Sequence, residues 1–564
     1  MKTMKKIALV LVLLSAMNLL FSQEKDPLTI GIANLKTHFL ADSLDGWNAS
    51  PNMTKRLLET QREDGTWPEV DYENSNTSNW LTAQHVELLL HLAKAWHLQH
   101  DAAVEKAFHK GLKFWLDAKL VNRNWWWNEI GVPRSLGLAA LLTEECLSEE
   151  ERLAVCKAME VTKIQYTGQN RVAVSIIVMT RGMLARDVDT VKTAVETIAE
   201  EVKMSPLEGI REDWSFHQHG NQPQMGNYGL AYIEQMTSFT TILQGTPFAL
   251  PAEKTALLHH LLKDGYTWIL WKGYMDVSSM GRQLGHGEQK KKADTVLESF
   301  KRFRKAGFTI PEEGPWGFKY FFASAYAVYR NRKNDWMGSV RMATPKIVGV
   351  ETWVNGDSPN GGHMADGALF VYSTGREYED VFPLWDNWRL IPGITTYLSL
   401  PPARRRWKDI NVGANEADEI TAREEKDGTA EVTFLLQRDG LTARKSWKFT
   451  SEGVEATGKE ITATDETSEV ITCVEHSLAQ ENAKILPYEN GCLKAVNGDF
   501  EYIIEAPGEN IVAKIEDRAG SLQTVMRGAP DTIIKGRVFC LYIRHGVKPQ
   551  NASYHYFVRK KTTH

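Results

Sequence analysis

The hydrophobic period of this 564-residue chain changes once, near Asn334, and that change limits the folds open to it. Before it, apolar residues recur every three and four positions in "WLTAQHVELLLHLAKAWHLQ" (Trp80–Gln99), "AAVEKAFHKGLKFWLDAKL" (Ala102–Leu120) and "VDTVKTAVETIAEEV" (Val188–Val202). That is the period of amphipathic helices. "PAEKTALLHHLLKDGYTWILW" begins with Pro251, which a first helical turn accepts. After Asn334, "GALFVYSTG", "AEVTFLLQRDG" and "VFCLYIRHG" alternate or run β-branched, with turns such as "RDG" and "KDG" between them. The expectation is a helical domain over 23–335 and an antiparallel β domain over 336–564. "VYRNRKNDWMG" (Val328–Gly338) is read as the linker. No motif recurs at a fixed period, so a solenoid is not expected.

"MKTMKKIALVLVLLSAMNLLFSQEKD" has Lys2, Lys5 and Lys6, then an apolar run from Ile7 to Phe21. It reads as a signal peptide over 1–22, and the protein is expected to be secreted or periplasmic. The run is short for a membrane span, and no later stretch is long enough for one. A formal charge of −5 implies no nucleic-acid partner, so any basic surface must be local. The five cysteines are odd in number and lack a CxxC, which points to neither a zinc site nor a dense disulfide framework. Cys146 with Cys156, or Cys473 with Cys492, could bridge.

The 18 tryptophans are more telling. "NWWWNE" sets Trp125, Trp126 and Trp127 among amides, next to Asn128. Indoles in polar surroundings suit the C–H faces of sugars, although tryptophan also fills helical cores. Four more stretches of the helical half carry unusual polar chemistry. "YTGQNRV" supplies Asn170, "DWSFHQHG" supplies His217 and His219, "MGNYG" supplies Tyr228, and "GRQLGHG" supplies Arg282 and His286. Their glycines allow close approach of backbone and ligand. Taken singly, Asn170 could cap a helix, His219 could be a satisfied buried histidine, Tyr228 a packed aromatic and Arg282 a surface charge. The His217–His219 pair would need a third ligand to hold a metal, and none stands out nearby.

Together these stretches resemble polysaccharide lyase family 8, which includes hyaluronate, chondroitin AC and xanthan lyases. "VNGDSPNGGHMADGALFVYSTG" and "RHGVKPQNASYHYFV" extend the likeness through the β half. The resemblance implies an N-terminal α/α toroid followed by an antiparallel β super-sandwich, with a cleft between them. It implies β-elimination on an anionic, uronate-containing polysaccharide, such as chondroitin, hyaluronan or a xanthan-like chain. Asn170, His219, Tyr228 and Arg282 fall on the family's catalytic positions, and Trp125, Trp126 and Trp127 on its aromatic patch. Asn128, His217, Trp214, His286 and Asp357 are further candidates for substrate contact. No cofactor is required by the resemblance, a structural calcium is compatible with it, and a monomer is expected.

The chemistry is consistent with those residue types. Removing the C5 proton of a uronate develops negative charge on its carboxylate, which an amide such as Asn170 can stabilise without acting as a base. A phenol is a useful base only when ionised, and a cation such as Arg282 favours phenolate. Tyr228 could then take the C5 proton and return one to the leaving oxygen. Four departures bear on substrate choice: His286 stands where the family carries a second arginine, Asp357 where it carries glutamate, Trp214 where it carries glycine, and the usual small C-terminal β domain is not expected. Two other readings remain. A toroid glycoside hydrolase would need two carboxylates about 5–9.5 Å apart, with Glu129, Asp213 and Asp366 as candidates. A non-catalytic sugar-binding protein would need only the tryptophans.

Overall fold

The computed structural model describes residues 27–41, 50–77, 79–352, 354–399 and 415–561. The signal-peptide expectation lies outside the described residues. After α1 (Pro27–Ala41) and α2 (Pro51–Thr60), helices come in pairs. They are α3 (Gln84–Gln99) with α4 (Ala102–Ala118), α5 (Val132–Leu142) with α6 (Glu149–Ala158), and α7 (Gly168–Ala185) with α8 (Val188–Glu201). A hairpin of β1 (Gly209–Ile210) and β2 (Phe216–His217) leads to α9 (Tyr228–Leu243) and α10 (Ala252–His260). A second hairpin, β3 (Leu270–Trp271) and β4 (Tyr274–Met275), leads to α11 (Glu288–Lys305).

Helices α3, α5, α7, α9 and α11 pack in succession, and α4, α6, α8 and α10 pack beside them as a second layer of the toroid. The sequence period explains the layering. In α4 the buried residues are Val104, Ala107, Phe108, Gly111, Leu112 and Trp115, a stripe at three- and four-residue spacing. Because the connecting helices return the chain each time, α7 and α9 begin at the same end of the ring.

The β region starts earlier than the change of period suggests. β5 (Gly317–Phe321), β6 (Tyr326–Asn331), β7 (Trp336–Arg341) and β8 (Ala368–Tyr372) form one antiparallel sheet. Val328–Gly338 is therefore a hairpin within that sheet and not a linker, and a boundary at 335 would cut it. Its polar residues serve the turn: Asp335 adopts φ 51°, and the Asn334 amide donates to the Ser451 carbonyl. The chain crosses from toroid to sandwich between Lys305 and Gly317.

Behind this sheet lie β9 (Thr395–Tyr397), β10 (Ile420–Glu424), β11 (Ala430–Arg438), β12 (Leu441–Thr450), β13 (Gly453–Ala463) and β14 (Glu469–Leu478). They continue through β15 (Lys484–Ile485), β16 (Leu493–Asn497), β17 (Phe500–Glu505), β18 (Ile511–Ser521), β19 (Ile533–Val547) and β20 (Ala552–Lys560). An eight-stranded sheet, in the order β10-β11-β12-β13-β20-β17-β16-β15, is accompanied by a four-stranded sheet ordered β18-β19-β14-β9. Alternation sets the faces: Val432, Phe434 and Leu436 point inward, as do Ala443, Trp447 and Phe449 on the paired strand. All five cysteines are unpaired thiols.

Toroid and sandwich share one apolar core, in which Met275 and Val277 join Tyr326, Met337 and Tyr372. Asp276 lies fully buried at the junction. It accepts hydrogen bonds from the hydroxyls of Tyr326, Tyr372 and Ser339, all from the first sheet. Arg330 crosses in the other direction and donates to the carbonyls of Thr267 and Leu270 at 2.7 and 2.8 Å. Both contacts fix the two domains in one orientation, which matters because the site draws on each.

Candidate active site

Two inner helices start at the site. Tyr228 is the first residue of α9, and Asn170 lies in the first turn of α7. The helix dipoles favour an anion at such ends, and at α7 the Gly168 N–H is already taken by the Glu201 carboxylate at 2.9 Å. Asn170 is buried, and its Oδ1 accepts no hydrogen bond from the protein, so the amide is not spent on holding the fold. Gln218, the residue before His219, accepts from the Gln169 N–H at 3.0 Å. That bond ties the start of α7 to the histidine loop. His219 itself stands at φ 61°, a left-handed conformation that costs a non-glycine residue roughly 1–3 kcal/mol and that recurs at functional sites.

The His219 and Tyr228 rings meet edge to face, with centroids 4.6 Å apart. The Arg282 guanidinium lies 5.6 Å from the centre of the Tyr228 ring. Gly226 makes this approach feasible. It donates its N–H to the Ser279 carbonyl at 2.8 Å, and a Cβ there would stand 2.4 Å from that oxygen.

The sandwich completes the cluster with Glu351. Its carboxylate accepts from His219 Nδ1 at 2.7 Å with one oxygen and from Arg282 Nη1 with the other. Asp357 takes the remaining side of the guanidinium, 3.3 Å from Arg282 Nε. Burial pushes the Glu351 carboxyl up, but the His219 hydrogen bond and the Arg282 charge outweigh it and hold it below the ordinary carboxylate value. Burial works against the Arg282 charge too, and Glu351 keeps it raised. Burial raises the Tyr228 phenol, with Arg282 opposing and Glu351 assisting. Asp357 is raised by burial against the pull of Arg282. The result is a fixed cation beside a phenol, with an imidazole whose Nδ1 is committed to a carboxylate.

The other candidates fall in different places. Trp125 is 39% exposed and stacks on Tyr166 with centroids 4.5 Å apart. Tyr166 in turn donates to Glu129 at 2.7 Å. Trp126 and Trp127 are half-buried against the helical core, and Trp127 Nε1 donates to the Thr77 carbonyl. A π-helical turn over Trp127–Gly131 turns the indoles back over Gly131, where a Cβ would lie 2.9 Å from both rings. Asn128 holds Asn122 with its amide, accepting from the backbone N–H and donating to the carbonyl, and so shapes the aromatic loop.

His217 is fully buried, with one ring nitrogen on the Asn221 amide oxygen and the other on the Ser324 hydroxyl. It pins the loop to the sandwich and offers no face to a substrate. Trp214 sits at the tip of the β1–β2 hairpin and stacks on His260 of α10, 4.9 Å between centroids. Its ring belongs to the outer helical layer, because the hairpin reverses between it and His219. His286 is exposed on the rim and pairs with Asp380 of the sandwich at 2.7 Å. Among the described residues no group of three or more His, Cys, Asp or Glu is arranged to hold a metal ion.

The carboxylates of the hydrolase reading are all committed. Glu129 accepts from Tyr166 and Gln165, Asp213 from Ser215 and the Ala323 N–H, and Asp366 from Arg438. Toroid and sandwich thus meet at a phenol–guanidinium–imidazole cluster of Tyr228, Arg282 and His219, while Glu129, Asp213 and Asp366 are each hydrogen-bonded elsewhere.

Comparison with known proteins gives the particular family. Residues 32–308 match the polysaccharide lyase family 8 N-terminal alpha-helical domain, and residues 316–563 match its super-sandwich domain. The chain belongs to this family. It is 25% identical over 548 residues to the chondroitinase-AC of Pedobacter heparinus, covering 90% of this chain and 76% of that one. It is 20% identical over 431 residues to a Staphylococcus aureus hyaluronate lyase, covering 64% of this chain and about half, 52%, of that one. A solved chondroitinase AC lyase, determined with oligosaccharides, superimposes with a TM-score of 0.83 at 22% identity, over 96% of this chain and 84% of the other.

Proposed function

We propose that this lyase cleaves a uronate-containing polysaccharide, a glycosaminoglycan such as chondroitin or hyaluronan or a xanthan-like chain, by β-elimination. The observation that carries the reading is the phenol of Tyr228 set against the buried guanidinium of Arg282, at the start of an inner helix. Tyr228 as phenolate takes the proton from C5. The C–H electron pair becomes the C4–C5 double bond, the C4–O4 bond breaks, and the phenol returns its proton to O4. Asn170 and the N-terminal dipole of α7 meet the charge that develops on the uronate carboxylate. His219, oriented by Glu351, binds the same group or the sugar oxygens beside it. Trp125 on its Tyr166 backing supplies a stacking face along the chain.

Every step in this scheme is carried by side chains of the protein. We also propose export, on the strength of the N-terminal charge and apolar run, and action as a monomer on an extended anionic chain. The test is a panel of uronate polysaccharides assayed for the ultraviolet absorbance of an unsaturated product. New reducing ends without that absorbance would replace elimination with hydrolysis. Binding without either product would make the protein a carbohydrate-binding module.

A further inference from the structure

Lys292 has no part in the elimination scheme, yet it is a charged group built into the site's backbone. It rises from the first turns of α11 and is only 2% exposed. Its ammonium donates to the Gly226 carbonyl at 2.5 Å and to the Met280 carbonyl at 3.0 Å. Gly226 stands two residues before Tyr228, and Met280 stands two residues before Arg282. One buried cation therefore holds the two segments that deliver the phenol and the guanidinium.

The arrangement is costly unless it does something. An ammonium out of water is unfavourable unless its hydrogen bonds are made, and an apolar residue would fill the same space with no such demand. An apolar residue would, however, leave both carbonyls without this donor. The Gly226 N–H to Ser279 carbonyl bond already joins the segments at one point. Lys292 adds two more from a rigid helix, so the segments cannot slide past each other. Burial lowers the ammonium to about 8, with Glu288 and Asp357 holding it up and Arg282 and Lys291 pressing it down. It remains largely charged at neutral pH.

We propose that Lys292 is a positioning residue that fixes the spacing of Tyr228 and Arg282 by clamping the carbonyls of Gly226 and Met280. The inference rests on the elimination reading for its kinetic consequence, but its geometric content stands apart from it. Lys292→Met removes both donors at similar volume, and Lys292→Gln restores a shorter donor. With the substrate identified by the polysaccharide panel, Lys292→Met is expected to lose at least about 100-fold in kcat with KM within about threefold. Lys292→Gln is expected to recover part of that loss.

A folded Lys292→Met variant with unchanged kcat, well below its melting temperature, overturns the proposal. So does a loss confined to KM. If Lys292→Met does not fold, Lys292→Gln carries the test alone: reduced kcat at unchanged KM supports the clamp, and wild-type kinetics overturns it. If the wild-type protein forms no unsaturated product on any polymer, the elimination reading fails. The clamp is then judged by the crystal structure of the folded variant. Separation of the Tyr228 phenol from Arg282 supports it, and an unmoved pair overturns it.

Discussion

Glu351 accepts a hydrogen bond from Nδ1 of His219 at 2.7 Å, although 132 residues separate them in the chain. The carboxylate belongs to the sandwich and the imidazole to the toroid, so the site exists only when the two domains are docked. The same carboxylate neutralises Arg282, which would otherwise be a buried and under-compensated cation. Docking, tautomer choice and charge balance thus converge on one side chain.

Glu351→Gln tests that convergence at constant shape. The amide can still bond one neighbour, but it cannot balance Arg282. Removing one partner of a buried ion pair costs about 3–5 kcal/mol, so the variant should unfold at lower denaturant concentration. Its kcat should fall by about 100-fold or more, the usual scale for a misplaced acid–base group. Chemical denaturation and steady-state kinetics check both. A stable, fully active variant would show that the bridge is dispensable.

Tyr228→Phe removes the proposed base and acid while leaving the ring against His219. Turnover should drop by about 10²–10⁴-fold, with substrate binding retained by equilibrium titration. Near-normal turnover would end the proposed mechanism.

The pH dependence follows from the phenol. Burial raises Tyr228 and Arg282 lowers it, while only the ionised form can take the C5 proton. Activity should therefore climb with pH. Arg282→Gln removes the lowering influence, so the phenol rises further and less phenolate is present at any given pH. The rising limb of kcat/KM should move to higher pH, and activity lost at neutral pH should be partly regained in alkaline buffer. A pH–rate profile of the two proteins decides it. An unmoved limb would mean that Arg282 does not act on Tyr228.

Trp125→Ala addresses the sugar platform. Its stack on Tyr166 belongs to a class of contact worth about 0.5–1.5 kcal/mol, and a sugar face should gain a similar amount. KM should rise by about 2–10-fold, with kcat little changed. A selective loss of kcat would place the indole nearer the reacting bond than its exposed position implies.

Much of this was legible in the sequence, for identifiable reasons. Helix and strand periods are local, so toroid and sandwich could be read directly. Asn170, Tyr228 and Arg282 stood out because glycines flank them in polar loops. Glu351 did not, since "GVETW" has no spacing relation to His219 or Arg282, and only the fold brings them together. Lys292 was hidden in "KKK", although it lies one helical turn before Val296 and two before Phe300, both buried. That phase marks the third lysine as inward-facing. Nearness in sequence to His219 does not give Trp214 and His217 the same surroundings. The β1–β2 hairpin sends one ring outward and buries the other. The domain boundary was placed late because the Arg332–Asp335 turn has the composition of a linker.

The loop that carries Glu351 and Asp357 ends in a buried network, which should govern acid stability. His363 Nδ1 bonds Asp366 at 2.6 Å, and Arg438 bonds the same carboxylate at 2.7 and 2.8 Å. Burial, with the Arg438 charge, lowers His363 to about 4. Burial would raise Asp366, but Arg438 and His363 together hold it down to about 2. Both folded values are depressed, so each group's contribution is present above its unfolded value and lost as pH falls through the folded one. For His363 the window runs from its ordinary 6.5 to about 4, a span equivalent to about 3 kcal/mol. For Asp366 it runs from 3.8 to about 2. His363→Asn keeps a donor toward Asp366 and removes the titrating ring. Absolute stability should drop through the lost Arg389 contact, so the readout is the slope. Urea titrations from pH 7 to pH 4 should give a shallower decline in the variant than in the wild type. Below pH 4 the variant should still lose stability, because Asp366 stays paired with Arg438. Equal slopes above pH 4 would show that His363 does not stay neutral in the folded protein.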